Sequence, residues 1–338
     1  MNIKKIILNI VFLTLIFYLL APYSLAQQLT LSLSPPLIET IIKPGKAILI
    51  AYRLENLGDP AIFRVNVFPF SARGDYGDMA IKNEFSGPVR FSLDNSDIKM
   101  NEPFFLKTRA SQQLLLRVRI PEGAPISDYY YTLLATSQPP PSIDGISSSQ
   151  VKATIGSNLL ITVTPTGQVQ LNGKISSFEI LPRFQFSFLG KTFRIIDSQD
   201  KIIVNSLVEN LGENYLKPQG EIVLRGNFGE TSKYEYVPKN ILAHSKRLTQ
   251  AQPSFIPDCA GKTKEKMCLT PSTLIINGFF IGKYQLSTTV SFGVNSPNLY
   301  ANTDFYAIPI KFIIGIFVVI IISVIIVKKV KVEKTNDQ

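Results

Sequence analysis

Ala47-Ile-Leu-Ile-Ala-Tyr-Arg-Leu-Glu-Asn-Leu-Gly58 decides the fold class, because its apolar residues recur at every second position. Ile48, Ile50, Tyr52 and Leu54 fall on one side of an extended chain, and Leu49, Ala51, Arg53 and Glu55 on the other. That period belongs to a half-buried β-strand, since successive side chains of a strand point to opposite faces. The same alternation returns in Phe63, Val65 and Val67, in Leu114, Leu116, Val118 and Ile120, and in Tyr284, Leu286, Thr288, Val290 and Phe292. Turn residues (Gly, Pro, Asn, Asp) separate these runs, and no useful length of helical periodicity lies between them. Such a chain is all-β, and its strands should pack as antiparallel sandwiches of the immunoglobulin-like kind.

The strand ending in Leu54-Glu-Asn-Leu-Gly58 has an echo in Val208-Glu-Asn-Leu-Gly212, 154 positions later. Tyr130 precedes Tyr284 by the same offset, each near the start of a late strand, where a tyrosine corner would sit. The repeat predicts two tandem sandwiches, residues 29–164 and 167–306, joined by the short segment Pro165-Thr166. Ser71–Pro88 and Ser137–Gln150 interrupt the strand pattern and are the expected mobile loops.

The two ends of the chain read differently from its middle. Lys4 and Lys5 precede an apolar run from Ile6 to Leu20, and Ser24-Leu-Ala26 follows it, so residues 1–26 have the layout of a cleaved signal peptide. Near the other end, residues 308–327 form a predicted transmembrane helix whose stretch from Phe312 to Val327 carries no charge. Lys311 lies inside that span, where its long stem allows the ammonium to reach the interface. The tail 328–338 follows with Lys328, Lys329, Lys331 and Lys334, which assigns it to the cytoplasmic side and the rest of the mature chain to the outside of a plasma membrane.

Half of the net charge of +10 belongs to these ends. Without Lys4, Lys5, Lys311 and the four tail lysines, and without Glu333 and Asp337, 28 basic residues face 23 acidic ones, an excess of +5. Such an excess suits an anionic wall or phospholipid surface. It lacks the basic stripe interleaved with stacking aromatics that nucleic acid requires. Cys259 and Cys268, nine positions apart in an exported chain, read as one local disulfide closing a surface loop. A zinc site fails for want of ligands, since His244 is the single histidine.

Catalytic signatures are sparse. His244 has no evident orienting acid beside it, no Gly-rich phosphate loop exists, and Asp75 and Asp78 in Gly74-Asp-Tyr-Gly-Asp78 lack the periodic oxygens of a calcium loop and read as a turn. The chain is therefore expected not to be an enzyme and to carry no catalytic, cofactor-binding or metal residues.

Leu33-Ser-Pro-Pro-Leu-Ile-Glu39, Ile42-Lys-Pro-Gly45, Glu55-Asn-Leu-Gly58 and Pro121-Glu-Gly-Ala-Pro-Ile-Ser-Asp-Tyr-Tyr-Tyr131, together with the end-to-end layout, resemble the WxL-interacting surface proteins of Gram-positive bacteria. The resemblance implies two immunoglobulin-like domains above a single membrane helix, the first associated with peptidoglycan and the second with a partner surface protein. The Cys259/Cys268 loop is not part of that family pattern. The expected function is a membrane-anchored extracytoplasmic adaptor that binds a cell-envelope component or another surface protein. A structural spacer of a membrane complex is the alternative, and an envelope hydrolase a minor one. An adaptor should expose an apolar patch or an uncovered sheet edge, which a spacer need not.

Overall fold

The computed structural model describes residues 30–138, 152–252, 272–293 and 296–336. The signal-peptide segment and the cysteine pair, Cys259 and Cys268, lie outside the described residues, as does most of Ser137–Gln150. The rest is built almost wholly of strands, followed by one helix.

Ten strands make the first sandwich: β1 (Leu31–Ser34), β2 (Leu37–Ile42), β3 (Ala47–Asn56), β4 (Ala61–Arg73), β5 (Asp78–Ile81), β6 (Arg90–Leu93), β7 (Phe104–Leu106), β8 (Ser111–Arg119), β9 (Ser127–Gln138) and β10 (Thr154–Val163). One sheet has the order β1-β3-β8-β6 and the other β2-β10-β9-β4-β5, with β7 also on β4. The chain passes from the first sheet to the second between β1 and β2, at a Ser34–Pro35 bond that is cis. Because β2 continues in the direction of β1, it meets the last strand β10 in parallel, Leu37 opposite Asn158 and Ile42 opposite Val163. The inner faces are the alternating residues read from the sequence: Tyr52, Leu54, Phe63, Val65, Leu114, Leu116 and Val118 are all buried in one cluster. Each such side chain stabilises the fold by roughly 1.5–3 kcal/mol relative to its exposed state.

The second sandwich comprises β11 (Gly173–Ile180), β12 (Phe184–Phe188), β13 (Lys191–Asp197), β14 (Ile202–Asn210), β15 (Gln219–Gly226), β16 (Thr231–Val237), β17 (Lys246–Leu248), β18 (Gln250–Ala251), β19 (Leu274–Ile276), β20 (Gly282–Ser291) and β21 (Leu299–Ile308). Its sheets are β11-β14-β17, with β19 also on β14, and β12-β13-β21-β20-β15-β16-β18. The plan of the first sandwich recurs, including a parallel pairing of the last strand, with Ile195 opposite Tyr306 and Asp197 opposite Ile308. A separate core holds Ile202, Val204, Ile222, Leu286, Val290 and Phe305.

The echoed asparagines occupy equivalent places. Asn56, fully buried, donates its Nδ2 to the carbonyls of Asp59 (2.7 Å) and Leu106 (3.2 Å), while its Oδ1 accepts from Gly58 N–H (3.2 Å). Asn210 donates to the carbonyls of Asn214 (2.8 Å), Ile241 (3.0 Å) and Leu242 (3.0 Å) and accepts from Gly212 N–H (2.9 Å). The amide thus satisfies backbone groups that a strand leaving its sheet would bury unpaired.

The structure corrects three expectations. Ser71–Pro88 is not a plain loop: β4 runs to Arg73 and turns back at Gly74–Gly77 into β5. Neither echoed tyrosine makes a tyrosine corner, since Tyr284 stacks on Phe305 at 5.3 Å between ring centroids in the core. Tyr130 instead accepts from Ala243 N–H of the second sandwich at 2.9 Å. The C-terminal apolar helix, expected to span a membrane, does not start at Ile308, which is still paired within β21, so the β-structure continues past the expected boundary at 306. The helix α1 spans Ile310–Asn336 and continues through most of the basic tail. Pro309 between strand and helix gives up an N–H that a helix start leaves unused, and its carbonyl accepts from Ile313 N–H at 3.0 Å.

Candidate functional site

The two sandwiches are bonded to one another along one seam. Asp128, at the start of β9, accepts from Asn214 Nδ2 (2.8 Å) and Tyr215 N–H (2.6 Å), and the Tyr130 hydroxyl donates to the same carboxylate at 3.2 Å. Burial first, then the charge of Asp128, raises the Tyr130 pKa far above that of a free phenol, so the hydroxyl remains a donor. Glu39 on β2 accepts from Asn240 Nδ2 (2.6 Å) and from Lys217 Nζ. The turn at Gly74–Gly77 reaches across too, where the Asp75 carbonyl accepts from Leu248 N–H (2.6 Å). Asp75 therefore lies in a docking turn, and Asp78 begins the strand that follows it.

Beside this seam lies a cleft of about 340 Å³, bordered by Leu37, Phe70, Met79 and Leu160 of the first sandwich and by Lys239 and Arg247 of the second. Neither Lys239 nor Arg247 is ion-paired with a carboxylate among the described residues. Arg247 lies against Gly77, where a Cβ would come within 2.3 Å of its Cζ, and it donates to the Asn240 carbonyl at 2.7 Å. Burial lowers the pKa of both cations. Any residue larger than glycine at 77 would displace the arginine that closes the seam.

The second surface is an edge. Strand β12 pairs with β13 and with nothing else among the described residues, and all five of its residues are exposed. Phe184, Phe186 and Phe188 point to one face, 50–62% exposed, and Leu189 at the hairpin tip is 86% exposed. Phe186 stacks on Phe193 of β13 with centroids 5.2 Å apart, and Phe193 lies 6.0 Å from Tyr306. These contacts line up the aromatic rings on one side of the hairpin and leave β12 exposed along its length. The alternation Phe184-Gln-Phe-Ser-Phe188 marks a strand with one aromatic face; nothing in it marks that face as unburied.

His244 sits at a surface turn with φ 54°, its Nε2 3.1 Å from Glu213 Oε1, both side chains well exposed. The sequence offered no orienting acid because this one comes from 31 positions away. Among the described residues no group of three or more His, Cys, Asp or Glu side chains gathers as a metal site.

No protein-family model and no curated protein matches this chain. Among solved structures, it is similar to the class 5 fimbriae chaperone CfaA, with 10% identity over 82% of this chain and 100% of that one, at TM-score 0.35. It is also similar to the Salmonella enterica SafA pilin–SafB chaperone complex, with 11% identity over 82% and 97%, at TM-score 0.33. The Pseudomonas aeruginosa CupB2 chaperone gives 9% identity over 80% and 97%, at TM-score 0.31. Similarity this low carries no argument about function. The all-β, two-sandwich fold rests on the strand pairings themselves, and the described residues include one helix long and apolar enough to cross a membrane, Ile310–Lys328.

Proposed function

We propose that this protein is a membrane-anchored adaptor of the cell surface, held by α1 with its basic end in the cytoplasm, that binds another surface protein through β12. The carrying observation is the unpaired β12 edge with three exposed phenylalanines on one face. An unpaired edge offers a row of main-chain donors and acceptors to a partner strand, and the side chains on alternate positions add selectivity. Soluble proteins normally blunt such edges with charge or proline, and β12 has neither. A spacer would have no use for it, which favours the adaptor reading. The WxL-interacting resemblance agrees in kind, with the second domain as the protein-binding one and peptidoglycan as the further ligand class of the first.

The test uses the full chain in its native membranes, with Phe184, Phe186 and Phe188 all replaced by serine. A surface protein that cross-links to the unaltered chain is expected to be lost from the triple variant, with the fold unchanged by circular dichroism. Retention of the same cross-linked partner by the triple variant would refute binding at this edge. Wall digestion in a parallel sample separates retention by peptidoglycan from retention by protein.

A further inference from the structure

We infer that the end of the second sandwich from which α1 departs is a lipid-contact surface that rests in the leaflet beside it. The inference depends on α1 crossing a bilayer, and it concerns residues the adaptor reading does not use.

The argument begins with length. From Ile310 to Lys328 the apolar helix has 19 residues, or roughly 28 Å at 1.5 Å per residue, against a hydrocarbon core of roughly 30 Å. The span has no slack, so Phe312 in its first turn must lie at the hydrocarbon boundary. The junction above it has little slack either. β21 passes into α1 through Pro309 alone, and buried Asp197 accepts from Lys311 N–H at 3.0 Å, filling the role of a helix cap from another strand. Lys311 Nζ turns back to Asp200 Oδ1 (2.7 Å), which also takes Arg183 Nη1 (3.0 Å). The lysine that should burden the span is thereby neutralised at its rim.

Whatever flanks Phe312 is therefore carried to the same depth. Phe279 and Ile281, from the segment between β19 and β20, border with Phe312 and Pro309 a hollow of about 330 Å³ whose surface is almost entirely apolar. Phe279 is 62% and Ile281 45% exposed. Phe228, 77% exposed in the turn after β15, lies at the same end of the sheet near Gly282, the residue after Ile281, where a Cβ would be 3.8 Å from its ring. Three apolar side chains from two loops would face water at a level where α1 already requires lipid. The β12 tip does not share this position, because Lys191 is six residues up β13 from Asp197, roughly 20 Å away at 3.3 Å per residue. An acyl chain or the apolar part of a headgroup fits the hollow, and the sandwich would stand on the bilayer in a fixed attitude that holds the β12 tip clear of it, with the Phe184 end, paired to Ile195, nearer the rim.

The sequence contains no tryptophan, so single reporters are unambiguous. The full chain is reconstituted into phosphatidylcholine–phosphatidylglycerol vesicles as Phe279→Trp, Phe228→Trp, Phe317→Trp in the helix, or Phe105→Trp in the first sandwich. Lipids carrying spin labels near the carbonyl or deep in the acyl chain serve as quenchers. Phe279→Trp and Phe228→Trp are expected to emit at blue-shifted wavelength and lose most of their signal to the shallow label. Phe317→Trp should lose it to the deep label, and Phe105→Trp to neither. Water-like, unquenched emission at 279 and 228 with Phe317→Trp quenched would overturn the inference and leave the membrane span standing. Unquenched emission from Phe317→Trp would overturn both.

Discussion

The two sandwiches follow a similar plan, and one of the places where they differ is the crossing of the first strand between sheets. In the first sandwich, Pro35 and Pro36 make the whole connection from β1 to β2. In the second, the chain between β11 and β13 spends residues 181–190 on the β12 hairpin before it resumes the plan. Everything the fold needs is common to both: the parallel last strand, the alternating core and the buried asparagine. The addition does nothing for either core, and it carries the most exposed aromatic run outside the helix. Where duplicated architecture departs from itself without gain in packing, function is the better explanation.

The shared asparagines offer the strongest test of that division. Asn56→Ala and Asn210→Ala should each destabilise by roughly 3 kcal/mol, because each orphans several buried carbonyls. Urea unfolding of the detergent-solubilised full chain measures this, and a neutral result at either site would break the equivalence of the two sandwiches. Next is the seam between them. Asp128→Ala removes the acceptor of Asn214 and Tyr215 and should cost about 1.5–3 kcal/mol, as for hydrogen bonds to a charged group. The distance between spin labels, one on each sandwich, should broaden in that variant; an unchanged distribution would mean the other seam contacts suffice.

Acid sharpens the contrast with a smaller effect. The first sandwich has Asp94 held below the usual carboxylate range by hydrogen bonds from Arg117. The second has three such groups. Asp200 is lowered chiefly by the hydrogen bond from Lys311, and Glu209 by that from Lys174. At Asp197 burial pushes upward, but the N–H groups of Lys311 and Gln199, with the charge of Lys311, outweigh it. A carboxylate whose folded pKa is depressed stabilises the fold above its unfolded value, about 4, and that contribution fades as pH falls through the folded value. Hydrogen exchange in the full chain between pH 5 and 2.5, corrected for intrinsic rates, should therefore show the second sandwich and its helix junction opening before the first. The smallest change in stability is expected at the edge itself, where Phe186→Ser should shift unfolding by less than about 0.5 kcal/mol while weakening partner capture, because its ring is half exposed.

The strands were legible because burial on one face writes itself into every second residue, as at Ile50, Tyr52 and Leu54 or Leu286, Thr288 and Val290. The Glu-Asn-Leu-Gly echo was legible too, since an amide that caps a strand exit must recur wherever that exit recurs. The apolar C-terminal helix could be read from apolar length alone, to within two residues of its start; the N-terminal boundary could not, because strand pairing of Ile308 with Asp197 competes with helix and wins. Sequence by itself determined an all-β chain with two cores and one apolar helix, since those follow from local periodicity and run length. Only the tertiary structure decided that β12 lies at a sheet edge with its aromatic face exposed, which carboxylate caps α1 and which loops stand beside Phe312, because each depends on segments distant in the chain meeting, and no local pattern encodes its partner.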